Sequence, residues 1–203
     1  MCTHYSEKVS DYAEAARRIR VRVEQEREVR DRYNISPKQE TAVLKADGGT
    51  LMRWGWNRPW TKMLLVNAKA EEAATKKTWQ QAFGNPGSRI IMPAGHYYEF
   101  PQKGMAIAVR HADQSPLLIA GLWEEHAEEG PCAVMLTTAP NAQVAAIHHR
   151  MPAILTAEEA RAWLNGAALP FTPYAGALEH FRVSPDAGNW RCDGPYLLEP
   201  LAA

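Results

Sequence analysis

The sequence predicts a mixed α/β (α+β) fold with a twisted antiparallel β-sheet or barrel-like core and peripheral helices. Three observations carry this prediction. The 203 residues are 46% hydrophobic and 23% charged, the balance of an ordinary globular protein. A helical apolar pattern opens the chain, and four apolar runs at short intervals fill its middle. At this length we expect a single domain over residues 1–203.

The first predicted element is an amphipathic helix over residues 11–32. Its apolar side chains recur at helical spacing: Tyr12, Ala16, Ile19 and Val23. Ser10 or Asp11 can cap its N-terminus. On its outer face a run of arginines (Arg17, Arg18, Arg20, Arg22) is followed by Glu24, Glu26 and Glu28. This is more typical of a solvated face with i,i+4 ion pairs than of a phosphate site.

Two strands and a second helix are predicted next. Residues 41–56 read as a hairpin that turns at Asp47-Gly48-Gly49, because this composition suits a tight turn. A short apolar strand over residues 63–66 then leads into a helix over residues 70–83. The run Gly84-Asn85-Pro86-Gly87 ends that helix.

From residue 89 onward the pattern is that of β-strands. Four apolar runs occupy residues 89–100, 104–110, 116–123 and 132–138. The acidic run at 124–130 is interpreted as a solvated turn. Thr156 and Glu159 have the spacing of a capping box and predict a short helix that ends near Asn165. The last forty residues show little periodicity, so we expect them to cover the β core.

Composition excludes several classes of protein. The net charge is zero, which argues against DNA binding through bulk charge but leaves room for a local basic groove. No apolar run is long enough for a membrane span and the N-terminus lacks a signal-peptide pattern, so we expect a cytoplasmic protein. The three cysteines form no CxxC, which indicates neither a disulfide framework nor a thiolate metal site. We expect no metal and no cofactor.

Cys2 is the first candidate for chemistry. Removal of the initiator methionine would place an α-amine and a thiol on one Cα, with ordinary pKa values of about 7.7–8.0 and about 8.5. The amine can form an imine with an aldehyde, and the thiolate can then close a thiazolidine ring. Considered alone, Cys2 needs no chemical role, because some side chain must occupy position 2.

Three further residues are candidates for proton transfer or positioning. Glu99 is a carboxyl among aromatic residues at a strand end, where burial would raise its pKa and suit a general acid; an edge-strand glutamate facing water is the alternative. His148 and His149 are neighbours that an extended segment would point to opposite sides, so one could face a cleft and the other solvent. Asn67 follows a strand, and its amide can donate and accept at once.

A tryptophan-rich segment follows the predicted hairpin. Trp54, Trp56 and Trp60 stand within seven residues, beside glycine and proline. Such large side chains usually lie in the core. They can also form a shelf for unstacked bases, where each base contributes about 1–3 kcal/mol. Composition alone favours the core.

Together these motifs resemble the SOS response-associated peptidase family, whose human and bacterial members crosslink to abasic sites in DNA. The resemblance extends from end to end, and its order and spacing are specific. The matching pieces are Met1-Cys2, Tyr33-Asn34-Ile35-Ser36-Pro37, Trp54-Gly55-Trp56, Asn67-Ala68-Lys69-Ala70-Glu71, Pro93-Ala94 with Tyr97-Tyr98-Glu99, and Ile147-His148-His149-Arg150-Met151-Pro152.

The resemblance implies a role for each matching residue. Cys2 would be the nucleophile that crosslinks to DNA, and Asn67 would position it. Glu99 would be the general acid that opens the sugar, and His148 would assist proton transfer and a strand-cleaving lyase side reaction. A further set would contact DNA: Lys69 and Arg150 on phosphates, and Trp56 or Trp60 with Pro37 as a wedge against duplex.

The resemblance also implies partners and a setting. The partner would be single-stranded DNA, or a single-strand/double-strand junction, that carries an abasic site. The protein would act in the DNA damage or SOS response as a monomer, close to the nucleoid or, in a eukaryote, in the nucleus. The sequence departs from the family at Thr3-His4, Lys69 and Gly95-His96, where the family commonly has Gly-Arg, arginine and Asp-Gly.

Three alternatives use the same residues differently. A cysteine peptidase could remove Met1 by autoproteolysis and use Cys2, Glu99 and His148. An N-terminal-nucleophile amidohydrolase would use the α-amine as base, but it needs an amide-binding loop and a four-layer sandwich. A non-catalytic single-strand DNA binder would rely on the tryptophans and bind reversibly with salt.

Overall fold

The computed structural model describes residues 2–23 and 29–201, and within them the mixed α+β fold class is confirmed. The strands are β1 His4–Glu7, β2 Arg32–Ile35, β3 Glu40–Lys45, β4 Gly48–Trp54, β5 Trp56–Arg58, β6 Thr61–Leu65, β7 Asn67–Lys69, β8 Arg89–Ala94, β9 His96–Glu99, β10 Ala106–His111, β11 Leu117–His126, β12 Gly130–Thr138, β13 Met151–Pro152, β14 Ile154–Leu155 and β15 Leu178–Val183. The helices are α1 Val9–Ile19, α2 Ala70–Ala73, α3 Gln80–Gly84 and α4 Ala157–Leu164. None of these helices is long and apolar enough to cross a membrane.

The larger sheet closes on itself, which confirms the barrel-like core. Strand β12 pairs with β4 and also with β11, so the path β12–β4–β3–β8–β11 returns to its first strand. Most neighbours are antiparallel, as predicted. The exceptions are β4 and β7, which both lie parallel to β12 because the β5–β6 hairpin carries the chain away and back between them.

The barrel strands bury both of their faces. One face packs against α1, α4 and the segment around Trp56, and the other packs against a five-stranded sheet of order β15-β10-β9-β1-β2. Alternation along β12 shows the division, since Cys132 and Val134 face the helical side whereas Ala133 and Met135 face the second sheet. Cys2 lies in the second of these two layers.

The predicted N-terminal helix is shorter than its pattern. Helix α1 ends at Ile19 because Arg20 adopts a left-handed conformation (φ 59°) and its N–H donates to the carbonyl groups of Ala16 and Arg17. Val21 and Val23 then pack against the core without helical structure. Residues 24–28 of the predicted helix lie outside the described residues, as does Met1. At the end of the predicted helix, Arg32 is already the first residue of β2.

The predicted helix over residues 70–83 is broken into α2 and α3. The Thr75 hydroxyl donates to the carbonyl of Glu72 at 3.2 Å, which competes with continuation of the helix. The interruption places Trp79 against Trp56, with ring centroids 5.1 Å apart. The predicted end at Gly84 is confirmed.

Local signals elsewhere predicted the structure well. The hairpin β3–β4 forms as expected, and Gly49 is required there because a Cβ would lie 1.6 Å from the Tyr12 hydroxyl. The capping box is present, since Thr156 accepts from the backbone N–H of Glu159 at 3.2 Å. The C-terminal forty residues contain an unpredicted strand, β15, which pairs with β10.

Candidate active site around Cys2

Cys2 lies two residues before the first residue of β1, in the layer between the barrel and the five-stranded sheet. Its side chain is 1% exposed, and its Sγ–H donates to the carbonyl of His4 at 3.4 Å. Burial raises the pKa of the thiol far above its usual value, and the charge of Glu99 raises it further. The thiol is therefore protonated at neutral pH, and its activation requires a group that takes the proton.

Asn67 holds the backbone of Cys2. It is the first residue of β7, and the parallel pairing with Met135 of β12 fixes its place. Its Nδ2 donates to the carbonyl oxygen of Cys2 at 2.8 Å. Its Oδ1 is buried and accepts no hydrogen bond from the residues that the structure describes. The amide thus anchors Cys2 at one end and offers an acceptor at the other.

Glu99 supplies a buried carboxyl beside the thiol. It ends β9, opposite Ile107 of β10, and is 2% exposed. Burial raises the pKa of this carboxyl to about 7. A carboxylic acid with this pKa is half protonated near neutrality, so it can donate a proton in one step and accept one in the next.

Tyr97 is a neighbour that sequence analysis did not single out. Alternation along β9 places it on the same face as Glu99, and its side chain packs in the same apolar layer as Cys2. Its hydroxyl is buried, and no hydrogen-bond partner for it occurs among the described residues. The only signal in the sequence was its position two residues before Glu99.

His148 follows a helical turn and not an extended segment. Its backbone N–H donates to the Val144 carbonyl, and the ring of His148 stacks on that of His149 with centroids 4.3 Å apart. The prediction that the two rings point to opposite sides is therefore wrong. Nδ1 of His148 lies 3.0 Å from both the backbone N–H and the carbonyl oxygen of Arg150, so it can accept from the first or donate to the second. Burial lowers the pKa of His148 and favours the neutral ring.

Arg150 ties the His148 segment to the strand that carries Asn67. Its guanidinium donates to both carboxylate oxygens of Glu71 and, at 2.7 Å, to the carbonyl of Thr137 in β12. Thr137 of β12 is also the pairing partner of Lys69 in the neighbouring strand β7. Both Asn67 and His148 are thus positioned from one region of β12. Because Arg150 is 8% exposed and already bound to Glu71, a contact with phosphate stays a prediction.

The other predicted DNA contacts separate into buried and exposed residues. Trp56 is fully buried, and its Nε1 donates to the carbonyl of Cys132 at 2.8 Å. It is a core residue, so its assignment to a wedge against DNA is wrong. Trp60 is 64% exposed at the β5–β6 turn. Lys69 is exposed and forms an ion pair with Glu72 at 2.8 Å.

Pro37 lines a groove that also includes His4, two residues after Cys2 in the chain. The groove has a volume of about 560 Å³ and is lined by His4, Ser36, Pro37, Lys38, Gln39, Gly188 and Trp190. Trp190 is 56% exposed, with the Arg191 guanidinium 4.7 Å from its ring centroid. The loop that carries it is anchored by Asn34, whose Nδ2 donates to the carbonyl groups of Asn189 and Cys192. The C-terminal segment shows little periodicity, so the sequence did not indicate that Trp190 would be exposed on a groove.

A second polar cluster was also missed. His126, Glu129 and Cys132 place their ligand-type atoms within 4.8 Å of one another on the helical face of the barrel. The composition of residues 124–130 had indicated only a solvated acidic turn. The spacing His126-x2-Glu129-x2-Cys132 across a hairpin is the signal that could have revealed it.

Comparisons with known proteins place this geometry in context. The model of the family described as SOS response associated peptidase (SRAP) matches residues 1–189. Abasic site processing protein YoqW of Bacillus subtilis is 29% identical over 193 residues, covering 82% of this chain and 85% of the relative. Abasic site processing protein YobE of the same organism is 30% identical over 151 residues, or 66% and 68% of the two chains. A crystal structure of a protein from Bacteroides thetaiotaomicron has the same fold, with a TM-score of 0.79, 19% identity, and coverage of 99% and 100%.

Proposed function

The chain belongs to the SOS response associated peptidase family, and from this membership and the Cys2 pocket we propose that it captures abasic sites in DNA. Two relatives carry the name abasic site processing protein. The observation that carries the proposal is that Asn67 holds the Cys2 backbone while a buried Glu99 carboxyl lies beside its thiol. This arrangement presents an aminothiol and a proton donor to one electrophile.

The chemistry uses the ring-opened form of the abasic sugar, which exposes an aldehyde at C1′. Removal of Met1 frees the α-amine of Cys2, and this amine condenses with the aldehyde to an imine and releases water. The thiol sulfur then adds to the imine carbon, and the thiol proton ends on nitrogen. The product is a thiazolidine that links the protein covalently to DNA.

Each pocket residue then has a step. Glu99 has a pKa of about 7 and is protonated below that pH. It donates a proton to the sugar ring oxygen as the ring opens and to the departing hydroxyl as the imine forms. Asn67 Oδ1, buried and available as an acceptor, orients the α-amine. His148 relays protons through its ring and supports elimination of the 3′ phosphate as a lyase side reaction.

The proposed partner is single-stranded DNA or the single-stranded side of a junction. The groove of Pro37 and Trp190 reaches His4, two residues from Cys2, and can hold a base next to the lesion. Stacking on an exposed indole does not depend on sequence and contributes about 1–3 kcal/mol per base. Lys38 on the groove and Arg191 beside the indole add positive charge for phosphates.

A denaturing gel tests the proposal. Protein whose mature N-terminus is confirmed by mass spectrometry is mixed with a labelled single-stranded oligonucleotide that carries one abasic site. We expect a slow, denaturant-stable band that Cys2→Ala abolishes and Cys192→Ser retains. Borohydride reduction of the aldehyde before mixing should also abolish it. A band that persists in Cys2→Ala, or on the reduced lesion, would refute thiazolidine formation.

The DNA path is tested separately by titration with undamaged single-stranded DNA. Trp190→Ala is expected to weaken binding by about 5- to 150-fold, the equivalent of one lost stacking contact. Trp60→Ala in parallel shows which exposed indole the DNA uses. Equal affinity of wild type and Trp190→Ala would remove the groove from the DNA path without affecting the crosslinking chemistry.

A further inference from the structure

We propose that His126, Glu129 and Cys132 form a binding site for a divalent metal ion of the zinc class. The three residues stand on the β11–β12 hairpin, where His126 ends β11 and Cys132 lies two residues into β12. One donor atom from each lies within 4.8 Å of the others. Imidazole, thiolate and carboxylate together are a donor set that zinc prefers. The site is separate from the Cys2 pocket and does not rest on abasic-site chemistry.

A carboxylate lies beside the second ring nitrogen of His126. Nε2 of His126 lies 2.7 Å from a carboxylate oxygen of Glu124, whose two oxygens also receive the Arg58 guanidinium. This contact does not have the geometry of a hydrogen bond. In the tautomer with its proton on Nε2, the ring would offer the lone pair of Nδ1 as a metal ligand. Carboxylates commonly lie beside the second ring nitrogen of metal-bound histidines.

Glu129 faces the same lone pair. One of its oxygens accepts from Asn57 at 2.7 Å and lies 3.1 Å from the Arg53 guanidinium. The other oxygen is buried, accepts no hydrogen bond from the described residues, and lies 3.7 Å from Nδ1 of His126. A ring nitrogen and a carboxylate oxygen at this distance can bind one metal ion between them.

The separation fits a metal better than a hydrogen bond. A hydrogen bond between nitrogen and oxygen spans about 2.7–3.2 Å. Two ligands about 2.0–2.1 Å from a tetrahedral zinc ion stand about 3.3 Å apart, within a few tenths of an ångström of the observed 3.7 Å. Cys132 completes three protein ligands, and water would complete the tetrahedron.

The site lies against the packed core. Cys132 is fully buried, and its carbonyl accepts from Nε1 of Trp56, whose ring lies 6.2 Å from that of His126. Binding of the metal releases one proton, from the Cys132 thiol to solvent, and changes no oxidation state. The competing structure is a doubly protonated His126 that bridges Glu124 and Glu129 with no metal.

Cobalt substitution tests the proposal with the full chain in a Cys2→Ala background, because an N-terminal aminothiol could itself chelate the ion. We expect Co²⁺ to bind one to one and to give a thiolate-to-cobalt charge-transfer band, which Zn²⁺ then displaces. Cys132→Ser should remove the band, whereas the matched control Cys192→Ser should keep it. No band in the Cys2→Ala protein, or a band that survives Cys132→Ser, would overturn the proposal.

A second variant separates the site from a folding defect. Glu124→Gln keeps all three ligands but weakens the support of His126, and is expected to reduce Co²⁺ affinity by about 10- to 100-fold. The charge-transfer band should persist at saturation. Unchanged Co²⁺ affinity in Glu124→Gln would contradict the assigned orientation of His126 and, with it, the metal site.

Discussion

The Cys2 pocket and the Cys132 cluster each place a glutamate carboxyl near a buried cysteine, on opposite faces of one barrel. The candidate residues of the first include His148 and those of the second include His126, and each cysteine is fully buried. Burial raises the pKa of both thiols. The residue types therefore do not distinguish the two places.

The two places differ in their neighbours. In the Cys132 cluster, Arg58 and Arg53 form ion pairs with Glu124 and Glu129, so the carboxylates are neutralised by fixed cations. At Glu99 the dominant influence is burial, which raises the pKa to about 7. A carboxyl that exchanges its proton near neutrality suits acid–base steps, whereas carboxylates held by cations suit structure or metal binding. The comparison teaches that counter-charges, more than residue identity, assign these roles.

The largest effect that can break this comparison is expected at Glu99. Glu99→Gln keeps the volume but removes the exchangeable proton, and should slow crosslinking by about 100-fold or more. Wild-type crosslinking should decline above pH about 7, as the acid form is lost. Rates from time courses on denaturing gels measure both effects. The exposed control Glu158→Gln should retain the wild-type rate and pH profile, and an equal profile for Glu99→Gln would contradict the assignment.

The second test is the pH dependence of stability. The pKa of Glu99 is raised from an ordinary 4.5 to about 7, so between these values the folded state holds a proton that the unfolded chain has lost. Stability should therefore fall as pH rises through this window, by roughly 3 kcal/mol. Glu99→Gln should lose this component in urea titrations at pH 5 and pH 8. Because Glu7 also has a raised pKa, the informative quantity is the difference between variant and wild type.

The third test concerns the ion pair between Arg58 and Glu124 beside the Cys132 cluster. Arg58 donates to both oxygens of Glu124, and its guanidinium lies 4.7 Å from the Trp56 ring centroid. Arg58→Met should reduce the free energy of unfolding by about 2 kcal/mol. Adding Glu124→Gln should recover part of this loss, since no unpaired carboxylate remains. Strictly additive effects in the double-mutant cycle would show that the pair is not coupled.

The smallest effect is expected at Asn67. Asn67→Ala removes the 2.8 Å hydrogen bond to the Cys2 carbonyl, worth about 1 kcal/mol, and should slow crosslinking about fivefold. Asn165→Ala, at the C-cap of α4, is the matched control. A loss as large as that of Glu99→Gln would show that Asn67 takes part in proton transfer and does more than position Cys2.

Local patterns predicted much of the secondary structure and little of the site geometry. The β3–β4 hairpin, the strands after residue 89 and the Thr156 capping box depend on neighbours within a few residues, and all are present. The helix over 11–32 was overextended because its pattern could not reveal the left-handed Arg20. Trp56 was assigned to DNA because motif order carries no information about burial.

The sequence by itself determined the available chemistry: an aminothiol precursor at Cys2, an amide at Asn67, a carboxyl at Glu99 and an imidazole at His148, in an order specific to one family. Tertiary structure decided what these groups can do. Packing of the five-stranded sheet, which carries Glu99, against the barrel buries this carboxyl and raises its pKa, and pairing of β7 with β12 places Asn67 beside Cys2. Barrel closure gathers the Cys132 cluster with Arg53 and Arg58. Desolvation and Coulomb interactions depend on atoms far apart in the chain, so they are established only when distant strands pair.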